Sequence, residues 1–426
     1  TSHAIRSLNF SPVEASISMG ATERQTLRKV QLPMAKQMIV LGINQTVMAA
    51  LSFVVIAALI AAPGLGKPVV SALTIQNTGQ GLVAGLAVVF LAILLDRATS
   101  AAATKQQSFI PPTEKQLRAR RRNLSITGSL TIISVIASHF VDSLGNFPAK
   151  IDIATPIANA TNRFVNFLVN DISFSTVAFK DLISIWVLNP IEDMLARAPW
   201  FMTLTMFVII ALVLAGARMA LLTFVLLMAI VATGLWFDAM VTLTQTIVAT
   251  MLTMIVGVLL GIWVGRSQKA DSFLRPFLDA GQTMPAFVYL VPVLGLFGPT
   301  RFTAIATGIV YSIPVVVKIV GEGIRSVPHS MIEAATAAGS SVRQIITKVQ
   351  LPAAKKAIML SANQGMIFVL AVIVIGGFVG SGGLGYLVIM GSSKPELAGK
   401  GLVAGLVILL LGVAIDGVAQ SASRRA

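Results

Sequence analysis

Several residue types and motifs are missing or scarce in this chain. Cysteine is absent from the 426 residues, which excludes a disulfide framework and thiolate metal sites. The three histidines, His3, His139 and His329, do not have the spacing of metal ligands on one helix, so we expect no metal site. The phosphate-binding pattern Gly-x-x-x-x-Gly-Lys-Ser/Thr does not occur either, because Gly64-Leu-Gly-Lys67 is followed by proline. We therefore expect that this chain is not an enzyme, does not itself hydrolyse ATP and binds no cofactor.

Charged side chains are also scarce. Only 12% of the residues are Asp, Glu, Lys or Arg, whereas about a quarter are charged in an ordinary soluble domain. Hydrophobic residues make up 55% of the chain, and the mean hydropathy is +0.85. These values indicate a membrane protein. The net charge of +15 lies mainly in short links between apolar runs, which is the positive-inside pattern rather than the signature of a nucleic-acid partner.

Apolar runs of about twenty residues, the length that a bilayer requires, recur along the chain. We predict an all-α, polytopic membrane protein with about ten transmembrane helices. The predicted spans lie near residues 38–61, 80–96, 124–141, 200–216, 219–236, 241–264, 277–297, 302–320, 356–379 and 400–417. If the basic linker 98–123 is cytoplasmic, every basic cluster falls on that side. The long outside segment 142–199 carries an amphipathic run, Phe164 to Trp186, which we expect to lie along the membrane surface.

A polar interlude between two apolar runs, residues 330–352, has the pattern of two short helices. Ser330 with Glu333, and Ser341 with Gln344, have the spacing of capping boxes, which start helices. Gly339 stands between them, where a residue without Cβ can take the left-handed conformation that ends a helix. The interlude is therefore predicted to be a helical hairpin with its turn at Gly339.

The same hairpin occurs a second time. A shift of 319 residues aligns 5–45 with 324–364, and 20 of those 41 positions are identical. The predicted capping boxes recur as Ser11 with Glu14 and Thr22 with Gln25, and the turn recurs at Gly20. The match continues to Gly64-Leu-Gly66 and Gly383-Leu-Gly385, to two copies of Gly-Leu-Val-Ala-Gly-Leu at 81 and 401, and to Asp96 and Asp416. A repeat of this length indicates a duplicated domain rather than a solenoid unit.

The two copies differ in what precedes them. About three spans, between 241 and 320, precede the second hairpin, whereas only four residues precede the first match. We therefore expect the natural polypeptide to be longer, with a region that repeats roughly 241–323. Eight spans separate the hairpins, so both copies are expected to have the same orientation, which argues against an inverted repeat.

Polar residues within the spans suggest a path through the membrane. Pro285 and Pro292 are expected to break regular helix, leaving backbone groups that a cavity or a neighbour must satisfy. The predicted path residues are Gln282, Thr283, Met284, Pro285, Asn363 and Gln364, and the last two recur as Asn44 and Gln45. Hydrogen bonding between helices is an equally open interpretation of the Asn-Gln pair.

Two other features invite a chemical interpretation that we set aside. Gly380 to Gly385 has the letters of a dinucleotide-binding motif but lacks the preceding strand and the acidic residue, so we interpret it as a turn or broken helix. Asp238 and Asp279 flank spans, and we interpret them as helix caps or interfacial residues rather than as a proton relay.

Glu333-Ala334-Ala335, Gly339 and Leu351-Pro352 together resemble the EAA loop of the permease subunits of binding-protein-dependent ABC importers. The first copy has Glu14-Ala15-Ser16, Gly20 and Leu32-Pro33, with serine as the third residue. The wider phrases Gln282 to Pro292 and Gly234-Leu-Trp236 are similar to permeases of the glycine betaine/proline uptake family. The resemblance covers roughly residues 1–100 and 200–420.

The resemblance implies a MetI-like type I importer fold in a bacterial cytoplasmic (inner) membrane. It implies that both hairpins dock into separate ATPase subunits, which would hold ATP and magnesium, and that an extracytoplasmic substrate-binding protein delivers an osmoprotectant. The implied domains are 1–97, the end of a first permease domain; 98–123, a linker; 124–199, an extra span with the external segment; and 200–426, a complete permease domain.

Three alternatives remain at this point. The substrate could be another small solute such as choline, carnitine or an amino acid, because the separate binding protein largely sets it in this family. A secondary transporter or channel would need no ATPase, and the paired hairpins argue against it. A membrane enzyme would need convergent catalytic groups, which the sequence does not show.

Overall fold

A computed structural model describes residues 10–35, 63–104, 114–140, 152–171 and 173–425, with isolated positions between 39 and 57. Within this part of the chain the regular structure is helical throughout, as predicted, and contains no strand. The described residues form two compact units, one within 1–49 and 93–157 and the other within 50–92 and 158–426. The predicted twins Asn44 and Gln45 lie outside the described residues.

The helices are numbered along the chain. The first half contains α1 Phe10–Ser18, α2 Glu23–Thr26, α3 Gly66–Thr74, α4 Thr78–Thr104, α5 Glu114–Phe140, α6 Ala154–Asp171, α7 Ser173–Ile183, α8 Asn189–Glu192, α9 Trp200–Ala215 and α10 Ala217–Ala232. The second half contains α11 Trp236–Arg266, α12 Gln268–Thr283, α13 Ala286–Phe297, α14 Arg301–Arg325, α15 His329–Ala337, α16 Val342–Gln344, α17 Leu351–Ala353, α18 Lys355–Ile375, α19 Gly383–Ser393 and α20 Ala398–Arg425.

Wider π-helical turns extend several of these helices. They lie at Leu27–Gln31, Ser184–Leu188, Asp193–Arg197 and Ile345–Gln350. Short 3₁₀ turns at Gly376–Val379 and Pro395–Leu397 flank α19. The glycine-rich stretch after α18 is thus a broken helix, as its sequence predicted: Gly380 is left-handed, and a new helix begins at Gly383, where Leu384 N–H donates to Thr242 Oγ1 at 2.9 Å.

The number of membrane spans differs from the sequence prediction. By length and composition, the described residues contain five helices that could cross a membrane: Thr78–Thr99, Trp236–Arg266, Arg301–Arg325, Lys355–Val379 and Pro395–Ala422. Two bent pairs raise the number to seven, namely Phe174–Arg197 with Trp200–Ala215, bent by 105°, and Gln268–Gln282 with Ala286–Phe297, bent by 102°. The sequence predicted about ten spans for the whole chain; nine of these lie mainly in the described residues, which contain five to seven candidate spans.

A hydropathy average overcounts membrane spans because it reveals neither a bend in the chain nor the length of a helix. The predicted span 200–216 is one arm of a bent pair, whereas the predicted span 277–297 crosses the bend of the other pair. The predicted span 219–236 is the 16-residue helix α10, about 24 Å long at 1.5 Å per residue, which is shorter than a typical hydrocarbon core. The predicted span 124–141 belongs to α5, whose first half carries the arginine cluster. Most of the predicted span 38–61 lies outside the described residues.

Helices α11, α14 and α18 form the centre of the larger unit. Gly257 and Gly261 on α11 face valines of α14: a Cβ on Gly257 would lie 2.5 Å from Val316 Cγ1, and a Cβ on Gly261 would lie 2.7 Å from Val320. Both valines are fully buried. Small residues let helix backbones approach closely, which gives dispersion contacts where lipid supplies no hydrophobic driving force. This contact fixes α14, and the second hairpin follows α14 directly.

We expect Gly261→Ala to destabilise the protein although alanine favours helix. The methyl group must displace Val320, and overpacking costs about 1–3 kcal/mol, more than the roughly 1 kcal/mol that alanine gains over glycine in a helix. The matched control is Gly405→Ala on α20, where nothing lies within 4 Å of the added Cβ. Thermal unfolding in detergent should show a lower midpoint for the first variant only; equal midpoints would contradict the packing argument.

Candidate functional site

The second hairpin has the turn that its sequence predicted. Helix α15 ends before Gly339, whose φ is +77°, and the chain restarts at Ser341. Ser341 and Gln344 form the expected capping box, in which Ser341 N–H donates to Gln344 Oε1 at 2.7 Å and Gln344 N–H donates to Ser341 Oγ at 3.4 Å. A π-helical turn over Ile345–Gln350 then leads to Leu351 and Pro352.

The predicted box of Ser330 with Glu333 is wrong. Helix α15 begins at His329, because Pro328 already occupies the cap position in an extended conformation. Ser330 is therefore inside the helix, and Glu333 Oε1 instead contacts His329 Nδ1 at 2.9 Å. Ser11, its counterpart in the first copy, likewise lies within the described helix α1 rather than before it.

The first hairpin repeats the same local structure. Gly20 has a φ of +80° at the turn. Thr22 and Gln25 form a capping box, with Thr22 N–H donating to Gln25 Oε1 at 2.9 Å and Gln25 N–H donating to Thr22 Oγ1 at 3.4 Å. A π-helical turn over Leu27–Gln31 follows. The duplication seen in the sequence is thus also a duplication of backbone conformation.

The two hairpins differ in the contact between their arms. In the first, the Ser16 and Thr26 hydroxyls are 2.7 Å apart, and each residue is only 4% exposed. The matching positions of the second hairpin are Ala335 and Ile345, of which Ile345 is buried. The serine that departs from the EAA pattern is therefore one half of a polar pair. The sequence signal was the joint change of both positions.

Most of the hairpin residues singled out by sequence are accessible. In the first hairpin, Glu14, Ala15, Gly20, Leu32 and Pro33 are exposed. In the second, Glu333, Ala334, Gly339 and Pro352 are exposed, and Ala335 and Leu351 are half-buried. The first hairpin also exposes Ile17 and Met19, at 59% and 82%, where the second has Thr336 and Ala338. The two hairpins share a backbone conformation, but their exposed surfaces differ in polarity.

Arginines that the sequence analysis treated only as a basic turn anchor the second hairpin. Arg266, at the end of α11, donates from Nη1 to Oε1 of the buried Gln350. Arg325, just before the hairpin, donates from Nη2 to the Val264 carbonyl at 3.2 Å and lies 3.3 Å from Asp271 Oδ2. Asp271 is 5% exposed and also pairs with Arg275 at 2.7 Å. The base of the hairpin is therefore bonded to both α11 and α12.

The same ionic cluster extends to the bend between α12 and α13. Lys318 Nζ lies 2.5 Å from Asp279 Oδ1 and donates to Gln282 Oε1 at 2.6 Å. Asp279 is thus paired with a lysine, consistent with its interpretation as an interfacial residue. A small cavity of about 130 Å³ lies within the cluster, lined by Val264, Asp271, Arg275, Leu278, Asp279, Lys318, Gly321, Glu322 and Arg325.

The structure separates the predicted path residues into two places. Gln282 is exposed at the end of α12, Met284 and the buried Pro285 form the sharp bend, and Thr283 ends α12. Pro285 breaks the helix as predicted. Pro292 does not, because α13 continues through it to Phe297.

Asn363 has a different environment from the bend. It is 4% exposed, and its Nδ2 donates to Asp416 Oδ1 on α20 at 2.8 Å, while Gln420 Nε2 donates to Asp416 Oδ2 at 2.8 Å. Its own Oδ1 is buried without a partner. This is the hydrogen bond between helices that the sequence left open, and the partner, Asp416, was not predicted. Gln364 is half-buried. No group of three or more His, Cys, Asp or Glu side chains that could hold a metal occurs among the described residues.

Comparison with known proteins identifies the family that this chain matches. The profile of the family described as "binding-protein-dependent transport system inner membrane component" matches residues 1–105 and 257–426. The trimethylamine N-oxide transport system permease protein TmoV of Pelagibacter ubique is 31% identical over 97% of this chain and 58% of its own length, and that of Ruegeria pomeroyi is 30% identical over 95% and 61%.

A further relative is the glycine betaine/proline betaine transport system permease protein ProW of Escherichia coli, which is 37% identical over 56% of this chain and 67% of its own length. The chain thus spans about three fifths to two thirds of the length of these relatives.

Replacing Ser16 by alanine should loosen the first hairpin. The change leaves the buried Thr26 hydroxyl without its partner, which costs about 1–3 kcal/mol. Adding Thr26→Ile to Ser16→Ala recreates the apolar pair of the second hairpin and should restore stability. Hydrogen exchange of residues 10–31 measures this, with residues 329–350 as the internal control; equal protection in the single and double variants would contradict the pairing.

Proposed function

Because the chain belongs to the family of binding-protein-dependent transport system inner membrane components, we propose that it forms the translocation pathway of an ATP-driven importer for osmoprotectants of the glycine betaine and proline type. The observation that carries this proposal is the pair of hairpins, which repeat one backbone conformation within the two segments that the family profile matches. A transporter of this kind needs two equivalent docking elements for two ATPase subunits.

The names of the relatives support the substrate class. Glycine betaine, proline betaine and trimethylamine N-oxide are all small molecules that carry both a fully substituted, positively charged nitrogen and a negatively charged oxygen. We propose that the substrate shares this pattern. Choline and carnitine, which carry the same cationic group, and amino acids are the alternatives that the experiment below separates.

The proposed partners follow from this role. Two ATPase subunits, holding ATP and magnesium, would bind the hairpins on the cytoplasmic side of a bacterial inner membrane. A substrate-binding protein would dock at the opposite end. Arg266 and Arg325 would transmit movement of the second hairpin to α11 and α12, since they bond its base to both helices. The bend at Met284 and Pro285 would then line the path at the end of the ionic cluster.

Uptake by proteoliposomes tests the function. The chain, assembled with its ATPase and binding protein, should accumulate labelled glycine betaine, proline betaine or trimethylamine N-oxide only when ATP is supplied to the ATPase. Choline, carnitine and proline are measured in parallel and define the substrate range. Accumulation driven by an ion gradient without the ATPase would show a secondary transporter instead and would contradict the proposal.

Gly339→Val should uncouple ATP hydrolysis from uptake. A β-branched residue in the left-handed conformation costs roughly 1–2 kcal/mol, so the turn should shift and misplace α15. Nothing lies within 4 Å of a Cβ at this position, so the effect would come from the backbone alone. Gly339→Asn is the control, because asparagine tolerates this conformation. Substrate-stimulated ATP hydrolysis and uptake are measured together, and wild-type values for the valine variant would refute the role of the turn.

Single cysteines should report the path, since the chain has none of its own. We expect cysteine at Thr283, Met284 or Asn363 to react with a water-soluble thiol reagent in the assembled complex, with rates that change when ATP is bound. Cysteine in place of the fully buried Ile230 on α10 is the control and should stay unreactive. Lack of reaction at all three test positions in every transport state would count against the pathway.

A further inference from the structure

A segment outside both family-matched regions bonds to each of them. We call residues 158–197 the strap; they lie between the matched regions 1–105 and 257–426. Its first anchor is Asn162, whose Oδ1 accepts from Gly79 N–H at 2.7 Å and whose Nδ2 donates to Asn77 Oδ1 at 3.4 Å. Asn77 and Gly79 lie at the start of α4, so this anchor holds a helix of the first matched region.

Glycine is needed for this approach. A Cβ on Gly79 would lie 2.3 Å from the Ala158 carbonyl oxygen and 2.7 Å from Asn162 Oδ1. The repeat supplies a natural comparison at Gly399, which precedes the second Gly-Leu-Val-Ala-Gly-Leu as Gly79 precedes the first. Nothing lies within 4 Å of a Cβ at Gly399. The strap thus covers one of two positions that the duplication made equivalent.

The second anchor is an ion pair. Glu192, only 6% exposed, accepts from Arg301 Nη1 at its Oε2 at 2.6 Å, and Arg301 Nη2 donates to Asn189 Oδ1 at 3.3 Å. Arg301 is the first residue of α14, where the positive end of the helix dipole disfavours a cation. The negative charge of the Glu192 carboxylate offsets both the positive charge of Arg301 and the positive end of the helix dipole. This anchor therefore holds a helix of the second matched region.

Between the two anchors, apolar contacts hold the strap against α14. The Phe179 ring meets the Phe302 ring edge-on with centroids 5.9 Å apart, and Ile183 and Leu188 belong to the buried cluster around Phe302 and Ile305. These contacts make the strap part of the core rather than a loose connection.

Both anchors lie at the same end of the unit. A Cβ on Gly295, near the end of α13, would lie 2.9 Å from Thr78 and 3.1 Å from Val165 of the strap. Helix α14 runs from Arg301 to Arg325, and the hairpin follows at His329, so the anchored end is remote from the hairpin. The two matched regions pack together there through Val69, Leu73 and Ala84 against Phe287, Leu290 and Leu294.

We propose that the strap sets the spacing between the start of α4 and helices α13 and α14, at the end of this unit that is remote from the second hairpin, with Asn162 and Glu192 as its positioning residues. It ties the start of α4 to the start of α14, so these helices can separate at that end only as far as the strap allows. The link to transport rests on the proposed function, because separation there would open the path towards the binding protein. The tie itself is tested without substrate or ATPase.

The test measures access to the interface that the strap holds. Cysteine is introduced at Val291, which is 2% exposed and lies where a Cβ on Gly81 would be 2.8 Å from it. The reaction rate of this cysteine with a membrane-impermeant thiol reagent is then compared between the otherwise unchanged full chain, the parent, and variants of it. Asn162→Ala, Gly79→Ala and Glu192→Gln should each raise the rate about two- to tenfold, the change in an opening equilibrium expected from the loss of one hydrogen bond.

Each variant has a matched control in the same part of the chain. These are the exposed Asn166→Ala for Asn162, Gly399→Ala for Gly79 and the exposed Asp193→Asn for Glu192, all expected to leave the rate unchanged. The exchanged pair Glu192→Arg with Arg301→Glu restores the ion pair and should return the rate towards that of the parent, which a general loss of stability would not. Rates in the three test variants equal to those of their controls would overturn the proposal, and an exchanged pair as fast as Glu192→Gln would overturn the role of Glu192.

Uptake measured on the same variants keeps the two proposals apart. Raised labelling with no ATP-driven uptake in the parent would support the strap and contradict the proposed function. Unchanged labelling in the variants, with ATP-driven uptake in the parent, would support the proposed function and contradict the strap.

Discussion

The close approach of α11 and α14 is the contact on which the rest of the larger unit depends. In a bilayer, two apolar helices gain little by exchanging lipid for each other, so they must gain from backbone proximity and side-chain fit. Gly257 and Gly261 provide that proximity by leaving room for Val316 and Val320. Because α14 is held along its middle, its two ends are fixed in space. Arg301 lies at one end and pairs with Glu192, and Arg325 lies at the other end and pairs with Asp271.

What the sequence predicted well was local. The capping boxes at Thr22 and Ser341, the turns at Gly20 and Gly339 and the break at Pro285 each depend on residues within four positions of one another. The failures also have local causes. The box at Ser330 was lost to Pro328, two residues earlier. The predicted spans near 200–216 and 277–297 fall on bent pairs, since summed hydropathy does not reveal a change of direction.

What the sequence could not predict were polar contacts between distant residues. Arg301 and Glu192 are 109 positions apart, and Asn162 and Gly79 are 83 apart. Nothing in the spacing of such pairs distinguishes them from other charged or amide side chains in a membrane protein. Ser16 and Thr26 are only ten positions apart, yet they become a pair only because the turn at Gly20 folds the arms together. The repeat was the most informative feature, because the joint difference at positions 16 and 26 corresponds to a contact between the two arms.

The π-helical turns allow the history of the hairpins to be ordered. A wider turn is rare in helices and costs regular hydrogen bonding. It follows the capping box in both hairpins, over Leu27–Gln31 and over Ile345–Gln350. One inheritance from a single-copy ancestor explains the shared position more simply than two independent acquisitions. The differing pairs, Ser16 with Thr26 and Ala335 with Ile345, show that at least one copy changed after the duplication, while the turn was kept in both.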